Sequence, residues 1–249
     1  MGHYSTFKCF ILLAKVINGI SLVQANLQRK RLATQELLKE AVSRKVDISL
    51  VQEPYVGADG FIKQYNGVRV VQKHQGRCKP VKAAIVIHND EIVINEDPAL
   101  TTENIAFAAI KTKNRTLNLI SVYFEVDEPL ETYLDHVKTI VNKINTRNLI
   151  LGGDVNAWST WWGSSKENQR GADLASFLNE MELHILNIGD EPTFETENIA
   201  RKSGIRLRVD NAHKGVWSPP IRTGPAWNRA LTPSHCWRRL VPMMNKISN

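Results

Sequence analysis

Short apolar runs alternate along this chain with longer segments in which apolar residues recur at helical spacing. An apolar run of about four to eight residues that ends at turn residues is typical of a buried strand, and apolar residues three and four positions apart are typical of a helix packed on one face. This criterion predicts strands over 19–26, 47–52, 83–88, 105–112, 117–124 and 148–151. It predicts helices over 33–45, 129–146 and 172–181. The pattern alone indicates one mixed α and β domain.

Three of the predicted strands lead into side chains that could carry chemistry. One leads into Glu53, one ends at Tyr123, and one leads into Asp154 and Asn156. Ligands bind at strand ends in layered α/β folds, so these side chains could share one rim. A carboxylate and an amide two residues apart combine a pure acceptor with a mixed donor and acceptor, which suits a water and a phosphate oxygen. The alternative for 152–156 is a plain turn, because Gly, Asp and Asn all favour turns.

Five motifs, in the same order along the chain, resemble those of the endonuclease/exonuclease/phosphatase superfamily. Five matches in order make a chance resemblance improbable. They are Gln-Ala-Asn at 24–26, Gln-Glu-Pro-Tyr at 52–55, Ser-Val-Tyr at 121–123, Gly-Gly-Asp-Val-Asn-Ala-Trp at 152–158, and Arg-Gly at 170–171 followed by Pro-Thr-Phe at 192–194. The Trp-Ser-x-Trp-Trp-Gly extension at 158–163 most resembles the apurinic-type endonuclease of insect non-LTR retrotransposons. The resemblance implies an α+β fold, a four-layer sandwich of two packed β-sheets flanked by helices, over residues 19–200.

The resemblance also implies roles for residues at the predicted rim. Glu53, with Asn26 nearby, would hold a divalent metal such as Mg²⁺ or Mn²⁺, because hard ions take few protein oxygens and keep several waters. Asp154 would orient and deprotonate the attacking water, and Asn156 would hold that water or a phosphate oxygen. Tyr123 would donate a hydrogen bond to the phosphate.

The resemblance implies roles for three further residues, and each of these roles is conditional or has an alternative explanation. His235 would donate to the developing oxyanion if it occupies the place of the family's terminal histidine. Arg170 would contact DNA, although an ion pair with Glu167 on the surface is the other option. Trp158 would also contact DNA, although packing explains a tryptophan equally well.

Basic residues are concentrated at the end of the chain. The 249 residues carry 32 Lys and Arg against 25 Asp and Glu, and residues 200–249 hold ten of the basic residues and a single acidic one. Three of the six tryptophans lie in the same segment. One interpretation is a tail that binds phosphates and stacks on bases. We therefore divide the chain into an N-terminal extension over 1–18, the domain over 19–200 and an atypical basic tail over 201–249.

The other interpretation of the tail is that its coding sequence has degenerated. The family pattern asks for Asp where Arg206 stands, and for Ser-Asp-His where the chain reads Pro233-Ser234-His235. Arg206 would invert the charge beside a metal and phosphate site, and Ser234 cannot fix an imidazole tautomer as a carboxylate does. This interpretation leaves open whether the last strands of the fold form.

Composition narrows the class of protein. The hydrophobic fraction of 43% and the charged fraction of 23% match a globular domain. Three widely spaced cysteines argue against a disulfide framework and a zinc site, and favour a reducing compartment. No apolar run approaches the roughly 18 residues of a spanning helix, so no membrane association is expected.

The expected function is a DNA endonuclease that leaves a 3′-hydroxyl for target-primed reverse transcription. Such a domain is normally fused to a reverse transcriptase, and we expect it to act in the nucleus. Two alternatives remain open. One is a catalytically dead remnant that binds nucleic acid, and the other is a phosphomonoesterase of the same superfamily.

Overall fold

A computed structural model describes most of the chain between residues 10 and 209. The described residues are 10–17, 19–63, 67–111, 116–144, 148–186, 194–196, 199–201 and 204–209. Outside 19–186, the strands are described by their backbone only. His235 lies outside the described residues, and so does most of the predicted tail.

The described strands and helices follow the predicted order. The strands are β1 (Phe10–Ile17), β2 (Ile20–Asn26), β3 (Ile48–Gln52), β4 (Arg69–Val71), β5 (Ala83–Ile87), β6 (Val93–Glu96), β7 (Ile105–Lys111), β8 (Thr116–Tyr123), β9 (Leu149–Asp154), β10 (His184–Ile185), β11 (Phe194–Thr196), β12 (Ile199–Arg201) and β13 (Gly204–Val209). The helices are α1 (Arg31–Ser43), α2 (Leu130–Ile144) and α3 (Gln169–Glu180). Single 3₁₀ turns lie at Pro98–Leu100 and Thr160–Trp162.

The strands form two large sheets, each with one parallel pair. The first sheet has the order β1-β2-β3-β5-β4 and the second has the order β10-β13-β9-β8-β7-β6, while β11 and β12 pair with each other. Strands β2 and β3 are parallel and joined through α1; strands β8 and β9 are parallel and joined through α2. Parallel strands need such a crossover, and their carboxyl ends meet at the same edge of the sheet. Each sheet therefore presents two adjacent strand ends at one edge.

Three apolar clusters hold the layers together. Buried residues of both sheets form a shared core that includes Ile48, Leu50, Ala108 and Leu119. Helix α1 packs on the outer face of the first sheet, and α2 and α3 pack on the outer face of the second. This arrangement confirms the predicted four-layer sandwich. The spacing of Leu37, Leu38, Ala41 and Val42 predicts that all four lie on one buried face of α1, and this is wrong for Val42, which is 53% exposed.

Both large sheets reach into segments that sequence reasoning set apart. Strand β1 pairs antiparallel with β2, although it lies in the predicted N-terminal extension. Strand β13 pairs antiparallel with β9, although it lies in the predicted tail, so a late strand of the second sheet is present. This pairing aligns Gly204 with Asp154 and Arg206 with Gly152.

Candidate active site

The ends of four strands, two from each sheet, place polar side chains at one edge of the sandwich. Asn26 ends β2 and Glu53 directly follows β3, while Tyr123 and Asp154 end β8 and β9 in register with each other. The side-chain amide of Asn26 donates from Nδ2 to Oδ2 of Asp154 over 2.9 Å, and the Glu53 carboxylate lies close enough to the Tyr123 hydroxyl to raise the pKa of Tyr123. Both contacts join the two sheets. The structure therefore brings four of the predicted side chains together, while their chemical roles stay predictions.

Glu53 is held by its backbone as well as by its side chain. Its φ of 44° lies in the left-handed region, a conformation that costs a non-glycine residue about 1–3 kcal/mol and is common at functional sites. Its N–H donates to the carbonyl of Lys82 over 2.8 Å, and its carbonyl accepts from the N–H of Arg29 over 2.7 Å. The carboxylate, 16% exposed, lies 3.0 Å from Nε of Arg29. The surrounding loops thus fix the direction in which this carboxylate points.

Asp154 is the last residue of β9, and Asn156 lies two residues further along the chain. The N–H of Asn156 donates to Oδ1 of Asp154 over 3.2 Å, and Nδ2 of Asn156 donates to the carbonyl of Phe124 over 2.9 Å. Asn156 has a φ of 47°, which asparagine tolerates better than most residues. A side chain on Gly153 would collide with the carbonyl of Val122, so glycine is needed for the close approach of β8. Residues 152–154 belong to strand β9, so the alternative of a plain turn over 152–156 is wrong, and the contacts just past the strand orient both predicted side chains.

The surroundings of Tyr123 keep its hydroxyl protonated. Burial, followed by the charges of Glu53 and Asp154, raises the pKa of Tyr123 well above its usual range. Lys82 lies with its Nζ 5.5 Å from the centre of the phenol ring, and Asn104 donates to the Tyr123 carbonyl over 2.9 Å. Tyr123 is therefore a fixed hydrogen-bond donor at neutral pH rather than a source of negative charge.

The oxygen atoms at this edge fit a hard divalent ion. Glu53 supplies a carboxylate, and Oδ1 of Asn26 accepts one bond, from the N–H of Gln28 over 2.9 Å, which leaves its second lone pair. Within the described residues no three His, Cys, Asp or Glu side chains group as a metal cage. Mg²⁺ is usually bound through one or two carboxylates with several waters, so a sparse set of oxygens suits it.

The side chain of Arg170 is hydrogen-bonded to the loop that follows β8. Its guanidinium donates to the carbonyls of Glu128 over 2.8 Å and Glu125 over 3.1 Å, which ties the start of α3 to the loop after β8. The alternative partner, Glu167, instead accepts from the hydroxyl of Ser159. The suggested ion pair with Glu167 is thus replaced by two carbonyl contacts, and DNA contact by Arg170 stays a prediction.

The tryptophans after Asn156 have different surroundings. Trp162 is 1% exposed and donates from its indole nitrogen to the carbonyl of Ala157 over 3.1 Å, so it is a packing residue. Trp161, its neighbour in the same 3₁₀ turn, is 57% exposed. Trp158 is half-buried, and its backbone exchanges hydrogen bonds with Asn168, the N-cap of α3. DNA contact by Trp158 stays a prediction.

Comparisons with known proteins place this geometry in a family. A model of the endonuclease-reverse transcriptase family matches residues 117–207. The solved endonuclease domain of TRAS1, a telomere-specific non-LTR retrotransposon, is 42% identical, covers 76% of this chain and 85% of its own, and superposes with a TM-score of 0.70. The chain belongs to the endonuclease-domain family of non-LTR retrotransposons. The recognition made from the five motifs is confirmed.

One longer relative agrees with that assignment, and a more distant solved structure has the same fold. A putative 115 kDa protein of the retrotransposable element R1DM from Drosophila melanogaster is 29% identical over 206 residues, which are 80% of this chain and 20% of that protein. The chain thus spans about a fifth of that relative's length. The Xenopus laevis APE2 catalytic domain shares the fold at 13% identity and a TM-score of 0.55, covering 76% of this chain and 82% of its own.

A buried polar chain beneath the site was missed by sequence reasoning. Nε2 of Gln24 donates to Oε1 of Gln52 over 3.2 Å, Nε2 of Gln52 donates to the hydroxyl of Ser121 over 2.9 Å, and that hydroxyl donates to the carbonyl of Val51 over 3.2 Å. These three side chains are at most 2% exposed and lie between the sheets. Each lies on the strand that leads to a site residue, one or two residues before it. That spacing, inside otherwise apolar runs, was the available signal.

Proposed function

We propose that this chain is an endonuclease domain that nicks one strand of DNA by hydrolysis in the presence of Mg²⁺ or Mn²⁺, leaving a 3′-hydroxyl. The observation that carries the proposal is the pair of contacts between the sheets, Asn26 to Asp154 and Tyr123 to Glu53. They gather two carboxylates, an amide and a phenol at one edge, which is the set of groups that phosphodiester hydrolysis needs. Membership of the retrotransposon endonuclease family supports DNA as the substrate.

In this proposal Asp154 is the general base. Its Oδ2 is held by the amide of Asn26 and its Oδ1 by the N–H of Asn156, so the carboxylate is fixed before a water arrives. A base held in place can take a proton from a water on the face of the phosphate opposite the leaving oxygen. The fixed amide of Asn156 would then orient that water or a phosphate oxygen.

Tyr123 and Glu53 would act on the phosphate side. The Tyr123 hydroxyl keeps its proton at neutral pH and can donate it as a hydrogen bond to a phosphate oxygen, where negative charge grows in the transition state. Glu53 and Asn26 would hold the divalent ion, which offsets charge on the phosphate and on the leaving oxygen. His235 would assist at the developing oxyanion, as the family resemblance implies.

The biological setting is part of the same proposal. A nick that ends in a 3′-hydroxyl would prime reverse transcription at the target, and the long relatives are retrotransposon proteins, one of them an RNA-directed DNA polymerase from the mobile element jockey. We propose that the chain acts fused to a reverse transcriptase, and in the nucleus. No helix in the described part of the chain is long and apolar enough to cross a membrane.

Nicking of supercoiled plasmid tests the activity. We expect open-circular product with Mg²⁺, none with a chelator, and none from Asp154→Asn, because an amide cannot accept the water's proton. Extension of the nicked plasmid by a DNA polymerase checks for the 3′-hydroxyl. Phosphate release from small monoesters under the same conditions, with the plasmid left intact, would favour the phosphomonoesterase instead.

The sequence of β13 favours a second candidate, a copy with weakened catalysis that still binds DNA. The family pattern has an acidic residue at the position of Arg206. On β13, Arg206 pairs with Gly152 of β9, which lies two residues before Asp154. Ser234 stands in the second position that the pattern assigns to Asp. If the copy is weakened, the paired changes Arg206→Asp and Ser234→Asp will raise the nicking rate. If the double variant nicks no faster than the wild type, these two positions do not limit it.

A further inference from the structure

The Arg29 guanidinium forms an ion pair with Glu53, the carboxylate that is proposed to bind the metal. Its Nε is 3.0 Å from Oε1 of Glu53. The two side chains differ in access to solvent, because that of Arg29 is 61% exposed and that of Glu53 is 16% exposed. The contact therefore places a mostly solvent-accessible cation at the mouth of the site.

The backbone is built to hold Arg29 there. Gln28 and Arg29 both have left-handed φ values, 49° and 55°, a conformation that is sterically unfavourable for residues other than glycine. Two hydrogen bonds offset this cost, from the N–H of Gln28 to Oδ1 of Asn26 over 2.9 Å and from the N–H of Arg29 to the carbonyl of Glu53 over 2.7 Å. Both accepting residues belong to the site. The segment after β2 is thus held by the same two residues whose side chains would hold the metal.

A divalent ion and the guanidinium compete for Glu53. Both are attracted by the same carboxylate, and they repel each other at the short separation that sharing it would require. Binding of the ion would therefore release the guanidinium, while the backbone of Arg29 remains hydrogen-bonded to Glu53 at the edge of the site. A released guanidinium offers a planar fork of N–H donors that matches a phosphate group.

We propose that Arg29 couples metal binding to DNA binding: its guanidinium holds Glu53 while the metal is absent and binds a DNA phosphate once the metal is in place. That the guanidinium then binds a DNA phosphate rests on the proposed function. The competition for Glu53 does not, because it needs only the metal and the protein.

Titration of the protein with Mn²⁺ in the absence of DNA, followed by electron paramagnetic resonance, tests the competition. Removal of an exposed ion pair should strengthen Mn²⁺ binding by Arg29→Gln up to about fivefold. Arg31→Gln is the matched control, because it removes the same charge from an exposed position at the start of α1. Equal Mn²⁺ affinity in the two variants would overturn the competition.

Binding of a short DNA duplex tests the second half, with every variant carrying Asp154→Asn to keep the duplex uncut. With Mn²⁺ present, Arg29→Gln should weaken binding by about tenfold and lower the salt dependence by about one phosphate contact. Without metal, the same change should have little effect, because the guanidinium is then engaged by Glu53. A loss of the same size with and without Mn²⁺, or no loss beyond that of Arg31→Gln, would overturn the coupling.

The two proposals fail in different ways. If wild-type protein leaves plasmid uncut, the endonuclease proposal fails, while the Mn²⁺ titration still reports on Arg29. If wild-type protein nicks plasmid and Arg29→Gln changes neither Mn²⁺ nor DNA affinity, only the coupling fails.

Discussion

Two carboxylates flank the central strand β3 of the first sheet, Asp47 before it and Glu53 after it, and they have different partners. Oδ2 of Asp47 accepts from the N–H and the hydroxyl of Ser21 over 2.7 and 2.8 Å, and Oδ1 accepts from the amide of Asn89 over 2.7 Å. Those partners are neutral and belong to the first sheet and its loops. The partners of Glu53 are a guanidinium and a phenol, and the phenol comes from the second sheet.

The difference between these carboxylates separates a structural role from a chemical one. Several neutral donors from one sheet stabilise the charge of Asp47 and join β2, β3 and the turn after β5. Glu53 instead has a left-handed backbone conformation at the junction of the two sheets, beside the Tyr123 phenol and a mostly exposed cation. Position at a strand end is common to both residues, so the partners are what distinguish them.

The largest effect is expected from Glu53→Gln. Loss of the carboxylate removes the charge that would hold the metal, and metal stabilisation of a phosphate transition state is worth several kcal/mol, so nicking should fall by about a thousandfold or more. The free energy of unfolding should change little, because the partly exposed ion pair contributes at most about 1 kcal/mol. Plasmid nicking and urea unfolding measure the two quantities. A variant that still nicks at a tenth of the wild-type rate would contradict the role of Glu53.

The next effect concerns His88, which follows β5 and approaches the Asp47 end of β3. Its Nε2 lies 2.8 Å from the hydroxyl of the buried Ser49, and burial, opposed by Asp47, lowers the pKa of His88 to about 4. The unfolded chain binds the proton near pH 6.5, so the contribution to stability is complete above pH 6.5 and is lost as pH falls toward 4. The total loss is about 3 kcal/mol. Urea unfolding between pH 7.5 and 4.5 should show this slope.

His88→Gln is the control for that pH dependence, because glutamine has no proton to gain in this range. The variant should have a flatter profile between pH 6.5 and 4.5 than the wild type. If both profiles have the same slope, other groups are responsible for the acid sensitivity.

A smaller effect is expected from Asp47→Asn, the counterpart of Glu53→Gln. Replacing the charged acceptor removes charge-assisted hydrogen bonds to Ser21 and turns an acceptor into a donor that faces Asn89. The free energy of unfolding should fall by about 2 kcal/mol. The nicking rate of the folded protein should not change, and this is checked at a temperature where both proteins are fully folded. A thousandfold loss of nicking would contradict the claim that Asp47 has only a structural role.

The smallest effect is expected from Ser121→Ala, which interrupts the buried polar chain between the sheets. The amide of Gln52 loses its acceptor, at a cost of about 1 kcal/mol in unfolding free energy. Glu53 directly follows Gln52, so a small displacement should lower kcat severalfold while leaving KM for DNA unchanged. Ser121→Thr, which keeps the hydroxyl, should restore kcat. If Ser121→Thr and Ser121→Ala have the same kcat, the hydroxyl does not position Glu53.

Much of the fold was predictable because the central strands and helices carry strong patterns. Strands such as β3 and β9 are short apolar runs with abrupt ends, and α2 has apolar residues at regular helical spacing, so these elements are found within a few residues of their predicted positions. Strands β4 and β6 were missed. Each has only three or four residues, too few to establish a period of two, and β6 is an edge strand with mostly exposed side chains.

The gathering of site residues was predictable for a different reason. Parallel pairing aligns the ends of β2 with β3 and of β8 with β9, and the ordered motifs place a polar residue at each end. The partners of those residues could not be predicted. The Arg29 contact depends on two left-handed residues, Gln28 and Arg29, that nothing in their side chains requires. The carbonyl contacts of Arg170 depend on a loop that is 42 to 45 residues away in the chain.

In this account, Glu53, after β3, binds the metal, while Asp47, before β3, has a structural role. The most direct test is anomalous scattering from a crystal of the protein soaked with Mn²⁺. We predict an anomalous peak in direct contact with the carboxylate of Glu53 and within reach of Asn26, and no peak at Asp47. A peak at Asp47, or an empty map around Glu53 at a Mn²⁺ concentration that supports nicking, would contradict the account.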